Sequence, residues 1–200
     1  EIRQAYSRVC QRLGLYQAIP VPAEGGLMGG SWTEEILLPC TAGEDVLQVC
    51  QQCQKPVGMS AAPGCSGSSV GCVCPSPSGG GGGGVAESSP LTQSIPVLEI
   101  GHLFRLGTRY SGSMGADFVD ELGEKRPLFM GCYGLGVSRL VAALVEVHHQ
   151  GDSIRWPVAV APCTAAVLSL GGGDLLSAEQ VAAHAQGVFG AQEVILDDRL

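Results

Sequence analysis

The chain has 200 residues, 45% of them hydrophobic and 15% charged, which suffices to bury one or two cores and is too apolar for a disordered segment. A net charge of −8 argues against a nucleic-acid surface made by the overall charge of the chain, because phosphate contacts need clustered Lys and Arg. Nine scattered Cys do not form a secreted disulfide framework, and no window of about 18 uninterrupted apolar residues suggests a membrane-spanning helix.

In chain order, residues 1–14 read as a helix, with Ile2, Tyr6, Val9, Cys10 and Leu13 at helical spacing and Gly14 as a stop. They lack the charged-then-apolar order of a targeting segment. Residues 15–22 read as extended, Glu24 to Gly30 as a glycine-rich turn, and Glu35 to Leu38 as a short strand stopped by Pro39. A further strand covers 45–50. From 54 to 94 the composition shifts to Gly, Ser, Pro and Cys, including the run Gly79 to Gly84, and no period survives; this reads as a linker or insertion. Val97 to Leu106 reads as a strand, 107–116 as a loop, and 116–121 with 127–133 as a strand pair around a polar turn at Gly123. Residues 137–149 form the strongest helical pattern, broken by Trp156-Pro157. Val158 to Leu170 reads as a buried strand, 175–189 as a helix, and Glu193 to Leu196 as the next strand. The pattern changes near 156, from strands with short connections to strand–helix–strand, so the predicted class is α+β: an antiparallel sheet with helices, then an α/β unit.

The segment with the most chemical content is Met130-Gly131-Cys132-Tyr133-Gly134-Leu135-Gly136-Val137-Ser138-Arg139. A strand runs into a glycine-spaced turn that feeds a helix carrying Arg in its first turn. Glycines let backbone approach a ligand closely, a helix N-terminus favours anions, and Arg offers a fixed fork to phosphate oxygens. The spacing matches neither a P-loop nor G-x-G-x-x-G, so on spacing alone a nucleotide site and a tightly packed helix with an exposed Arg both remain open. Cys50-x-x-Cys53 with Cys72-x-Cys74 offers four thiolates for zinc, but the second pair is tighter than an ordinary knuckle and its surroundings are glycine-rich, so zinc is not expected. His148 and His149 end a helix, where cationic side chains are favourable.

The stretch from Gly131 to Arg139 resembles motif 3 of class II aminoacyl-tRNA synthetases, in the form similar to prolyl-tRNA synthetases. Leu98 to Ser111 resembles that family's glycine–histidine segment, and Gly29 to Glu35 with Gly43 to Asp45 the stretch after motif 2. Arg155-Trp156-Pro157 with Ala161-Pro162 resembles the passage into the anticodon-binding domain, and Leu196 to Arg199 a segment inside it. The resemblance covers most of 1–53 and 95–200. It implies part of the catalytic domain at 1–53 and 95–156, an insertion at 54–94 and a truncated α/β anticodon-binding domain at 157–200. It implies that Arg139 binds the γ-phosphate of ATP, that Gly134 and Gly136 line the ATP site, and that His102, Gly101 and Cys132 lie at the proline pocket; Cys132 also reads as a small buried apolar residue. The implied reaction is formation of prolyl-adenylate with ATP and Mg²⁺, then transfer to tRNA(Pro), by a homodimer.

Two departures stand out. Glu34 occupies the place of a family His, while Glu35 keeps the matching acid. The segment 54–94 is far too short for the editing domain of many bacterial relatives, which resembles the mitochondrial form and implies the mitochondrial matrix, with the cytoplasm as the alternative. Motif 1, motif 2 and the upstream proline-gripping segment have no counterpart in these residues, so the isolated chain is expected to be inactive. A catalytically dead synthetase-like tRNA-binding or regulatory protein is the alternative reading, and class II enzymes for threonine, glycine or serine are others.

Overall fold

The computed structural model describes residues 1–59, 92–169 and 175–197, which fall into two compact units, Glu1–His149 and Gln150–Leu200. In the first unit, helix α1 (Ile2–Arg12) ends where Gly14 turns to φ 70 and the Leu15 N–H returns to the Cys10 carbonyl at 2.9 Å. Only a residue without Cβ enters that left-handed region readily, which is why the chain reverses there. Strands β1 (Ile19–Pro22), β2 (Trp32–Pro39), β3 (Asp45–Cys50), β4 (Pro56–Met59) and β5 (Thr92–Gly107) follow. Then come helix α2 (Arg109–Met114), the hairpin β6 (Asp117–Val119) and β7 (Lys125–Pro127), strand β8 (Met130–Leu135) and helix α3 (Val137–His148).

The main sheet runs β1-β2-β5-β3-β4 with β8 also on β5, and these strands pair antiparallel. The 16 residues of β5 organise it. β2 lies along one edge; on the other, β3 pairs with residues 92–97 and β8 with residues 101–107. The end strands β1 and β4 also touch, so the sheet curls on itself. Its concave face buries Val21, Leu37, Leu47, Val49 and Val97, with Ile19 and Ile95 packed against them. Cys10 and Leu15, from α1 and the residues after it, line a hollow together with Ile36 on the opposite face. Period-two alternation thus gives both faces of β2 something to bury.

Four expectations need correction. The stretch 54–94 contributes two ordered edges: β4 pairs with β3, and β5 begins at Thr92 rather than Val97. Residues 107–116 hold the short helix α2, ended by Gly115 at φ 63. Residues 130–135 pair with β5, a partner distant in sequence, while 117–119 pairs with 125–127 around a turn in which Asp120 Oδ1 accepts the N–H groups of Leu122 and Glu124. Among the described residues from 158 to 169, only Ala165–Leu168 forms a strand, and it is half-exposed; the preceding residues start in a turn in which the Pro157 carbonyl accepts the N–H groups of Val160 and Ala161.

The second unit contains that strand, β11 (Ala165–Leu168), helix α4 (Leu175–Phe189) and β12 (Val194–Asp197), which pairs with β11 in parallel. A helical crossover between parallel strands is the α/β pattern expected from the sequence. Two-residue strands β9 (His149–Gln150) and β10 (Ser153–Ile154) fall where the sequence passes from one unit to the next. Among the described residues no helix is long and apolar enough to cross a membrane.

Leu37 is fully buried at the centre of the concave core. Leu37→Ala is expected to destabilise the chain by about 2–5 kcal/mol in urea unfolding, through lost transfer energy and the cavity left behind. A change below about 0.5 kcal/mol would contradict the placement of the core.

Candidate functional site

An open cleft of about 400 Å³ is lined by residues 99–102 of β5, residues 134–136, Ser138 and Arg139. β8 brings these distant segments together, its Gly134 standing opposite His102 and its Cys132 opposite Phe104. Of the residues singled out in the sequence, Gly101, His102, Gly134, Gly136 and Arg139 all line this cleft. Cys132 stands two residues along β8, half-buried, and is not among the lining residues. Of the four Cys weighed for zinc, Cys50 ends β3 and Cys53 follows in a turn, whereas Cys72 and Cys74 lie outside the described residues.

The glycines play different parts. A Cβ on Gly134 would meet nothing within 4 Å, so the space over His102 is open. A Cβ on Gly101 would stand 3.2–3.3 Å from Leu135, the Gly134 carbonyl and Tyr6, so this glycine serves close packing of strand and helix. Gly136 is the N-cap of α3; its N–H bonds the Ile100 carbonyl at 3.1 Å and its carbonyl receives Leu140 N–H at 2.8 Å. The helix therefore starts at the cleft, with Arg139 in its first turn. Arg139 is exposed and donates from Nη1 to the Glu99 carbonyl at 2.8 Å, one of the five donors of a guanidinium.

His102 is held from three sides. Nε2 lies 2.7 Å from Thr33 Oγ1, Nδ1 lies 3.0 Å from Glu99 Oε1 and 3.8 Å from Glu35 Oε1, and the ring stacks on Phe104 at 4.0 Å and 15°. The strand register explains the company: His102 stands opposite Glu35, and Phe104 opposite Thr33. Glu99 and His102, three residues apart, would face opposite sides of a regular strand. A bulge at Ile100, opposite the step from Ile36 to Leu37, returns them to one side. Sequence reasoning missed Thr33 and Glu99 as site residues because nothing local marks that bulge.

Glu34 and Glu35 are adjacent and face different surroundings. Glu34 is 3% exposed and pairs with Arg3 of α1 at 2.9 Å. Burial pushes its carboxyl up, against the pull of Arg3. Glu34, where the resemblance leads one to expect a His, thus falls on the helix-covered face, away from the imidazole of His102. Glu35 carries the larger perturbation: burial, then the nearby Glu99 and Asp45 carboxylates, push it up to about 7. Glu35, Glu99 and His102 also form a group whose ligand atoms lie within 4.8 Å of one another.

A carboxyl raised in the folded state is protonated more readily there than in the unfolded chain, so it stabilises at low pH and loses that contribution as pH rises. For Glu35 the loss spans the ordinary value of 4.5 up to about 7. Glu35→Gln is therefore expected to gain stability relative to the parent chain between about pH 5 and pH 8, read from urea midpoints. A constant difference across that range would show that Glu35 titrates normally.

No protein-family model matches the chain. Half of it does match curated proteins: it is 46% identical over 102 residues to proline–tRNA ligase of Halothermothrix orenii, covering 51% of this chain and 18% of that protein. It is 47% identical over 105 residues to the same enzyme of Synechocystis, covering 51% of this chain and 17% of that protein. The chain thus spans less than a fifth of the length of these relatives. Among solved structures, a prolyl-tRNA synthetase of Giardia lamblia in complex with prolyl-adenylate superposes with a TM-score of 0.64 at 12% identity, covering 100% of this chain and 31% of that one. One of Cryptosporidium parvum with L-proline and AMP gives 0.62 at 13%, covering 99% and 31%. The chain therefore shares sequence with bacterial proline–tRNA ligases over half its length and has the fold of the corresponding part of prolyl-tRNA synthetases.

Proposed function

We propose that this chain is the motif 3 portion of a class II prolyl-tRNA synthetase, with the opening of its anticodon-binding domain at 157–200, and that its cleft takes part in activating proline with ATP. The observation that carries the proposal is the meeting of Arg139, at the start of α3, with His102 across one cleft, both tied to Glu99. In the reaction, a proline carboxylate oxygen attacks the α-phosphorus of ATP, the new P–O bond forms, and pyrophosphate leaves. The prolyl group then passes to the terminal adenosine of tRNA(Pro). No protein nucleophile is needed; positioning and charge neutralisation do the work.

Arg139 supplies a permanent cation at the mouth of the cleft, where its remaining donors bind the γ-phosphate as a fork. Gly134 keeps the floor flat beside His102, so a ligand reaches the strand without meeting a side chain. His102, with Gly101 and the nearby Cys132, bounds the proline side. Glu99 is the carboxylate of this chain that lines the cleft, with Glu35 beside it, and an oxygen donor there suits Mg²⁺, which supplies charge neutralisation on the phosphates when bound. Within the whole enzyme the partners are tRNA(Pro), proline, ATP and a second copy of the subunit.

The connection from β4 to β5 supports a finer reading. It is confined to residues 60–91, far shorter than an editing domain, as in the mitochondrial form. We place the enzyme in the mitochondrial matrix on that ground, although the curated relatives named above are bacterial. Fractionation of cells expressing the full-length tagged protein tests this, and a purely cytosolic signal would refute it.

Three results test the main proposal, all by amino-acid-dependent ATP–pyrophosphate exchange with the full-length protein. Exchange should depend on proline and fail with threonine, glycine or serine; exchange driven by another amino acid, or none at all, would overturn the reading. Arg139→Ala should lower the rate by about 10²-fold or more, the scale of losing one preorganised charge donor. Gly134→Val should block the cleft while leaving urea stability nearly unchanged, because its Cβ enters open space. Unimpaired exchange in that variant would place the ligand elsewhere.

A further inference from the structure

We infer that Thr33 and Glu99 are positioning residues that hold His102 in its Nδ1–H tautomer, so that the imidazole offers a ligand in the cleft its ring carbons and face but no free nitrogen. The inference deepens the proposed proline site and rests on that reading for its functional meaning; its test is independent of activity.

The carboxylate at Nδ1 sets the direction, and the Thr33 hydroxyl, able to donate or accept, follows it. Nδ1 lies 3.0 Å from Glu99 Oε1, with Glu35 Oε1 behind it at 3.8 Å. A carboxylate oxygen accepts, so the proton belongs on Nδ1. Nε2 then carries a lone pair, and the Thr33 hydroxyl at 2.7 Å donates to it. The stack on Phe104 fixes the plane of the ring, so neither bond is free to swing. Thr33 is 7% exposed and the His102 side chain 19% exposed, which limits competition from water for both contacts.

Glu99 acts at two points. Its carboxylate orients the imidazole and its backbone carbonyl receives Arg139 Nη1 at 2.8 Å. One residue thereby sets the position of the ring on the amino-acid side and of the guanidinium on the phosphate side. It reaches both because the bulge at Ile100 turns its side chain onto the face of His102.

The test is two-bond ¹H–¹⁵N correlation spectroscopy on the chain labelled with ¹⁵N-histidine, in which the shifts of the two ring nitrogens report which carries the proton. His102 is one of four histidines and is assigned by its disappearance in His102→Gln. The parent chain should show a single Nδ1–H pattern for His102. Thr33→Ser and Glu99→Gln, which keep a hydroxyl and an acceptor oxygen, should preserve it. Glu99→Ala should give the Nε2–H form or an average of the two, and Thr33→Val should shift the Nε2 resonance while leaving the proton on Nδ1. An Nε2–H, averaged or imidazolium pattern in the parent chain would overturn the inference without any variant. So would an unchanged pattern in a folded Glu99→Ala chain. Neither result bears on whether the full-length protein activates proline, so the failure of each claim is separately visible.

Discussion

The site depends on one irregularity in one strand. β5 is long enough to pair with β3 along its first half and β8 along its second, and the extra residue Ile100 sits where the two halves meet. Ile100 is 1% exposed, so the bulge is anchored by burial. It changes which side of the sheet Glu99 faces. Without it, the strand alternation would point Glu99 away from His102, and Arg139 would share no residue with the imidazole.

The sheet then divides labour between its faces. One face receives α1, and there Glu34 finds Arg3 and Gly101 makes room for Tyr6. The other carries the hydrophobic core at one end and the polar group of Thr33, Glu35, Glu99 and His102 farther along. Adjacent glutamates in one tripeptide therefore have unrelated roles, one securing a helix and one crowding a carboxylate and an imidazole. That crowding, with burial, is what raises the Glu35 carboxyl to about 7. Charged groups are thus crowded beside the cleft at a cost in their own solvation, the kind of perturbation that marks a candidate functional site.

Much of this was legible in the sequence. The periodicity of 137–149 and 175–189 marked α3 and α4 well, and the run 45–50 coincides with β3. The glycine-spaced strand–turn–helix at 131–139 and the Gly101-His102 pair both stand out in the sequence itself, and the fold brings them to one cleft. The losses came from non-local contacts. β8 looked like the partner of 116–121 because hairpins are the simplest connection, yet its partner is β5. β4 and the first residues of β5 lie in a stretch whose composition hid them, since strands of four residues carry little period of their own. Thr33 and Glu99 were invisible as site residues for a related reason: a bulge is set by what pairs across the strand, and Glu99 with His102 at a separation of three reads as two faces, not one.

The central claim is that the guanidinium of Arg139 answers to phosphate in this cleft. The most direct measurement is a crystal structure of the full-length protein with ATP. The account predicts the triphosphate over Gly134 and Gly136, with the Arg139 side chain turned from the Glu99 carbonyl onto the terminal phosphate. A triphosphate bound elsewhere, with Arg139 still donating to Glu99, would contradict it.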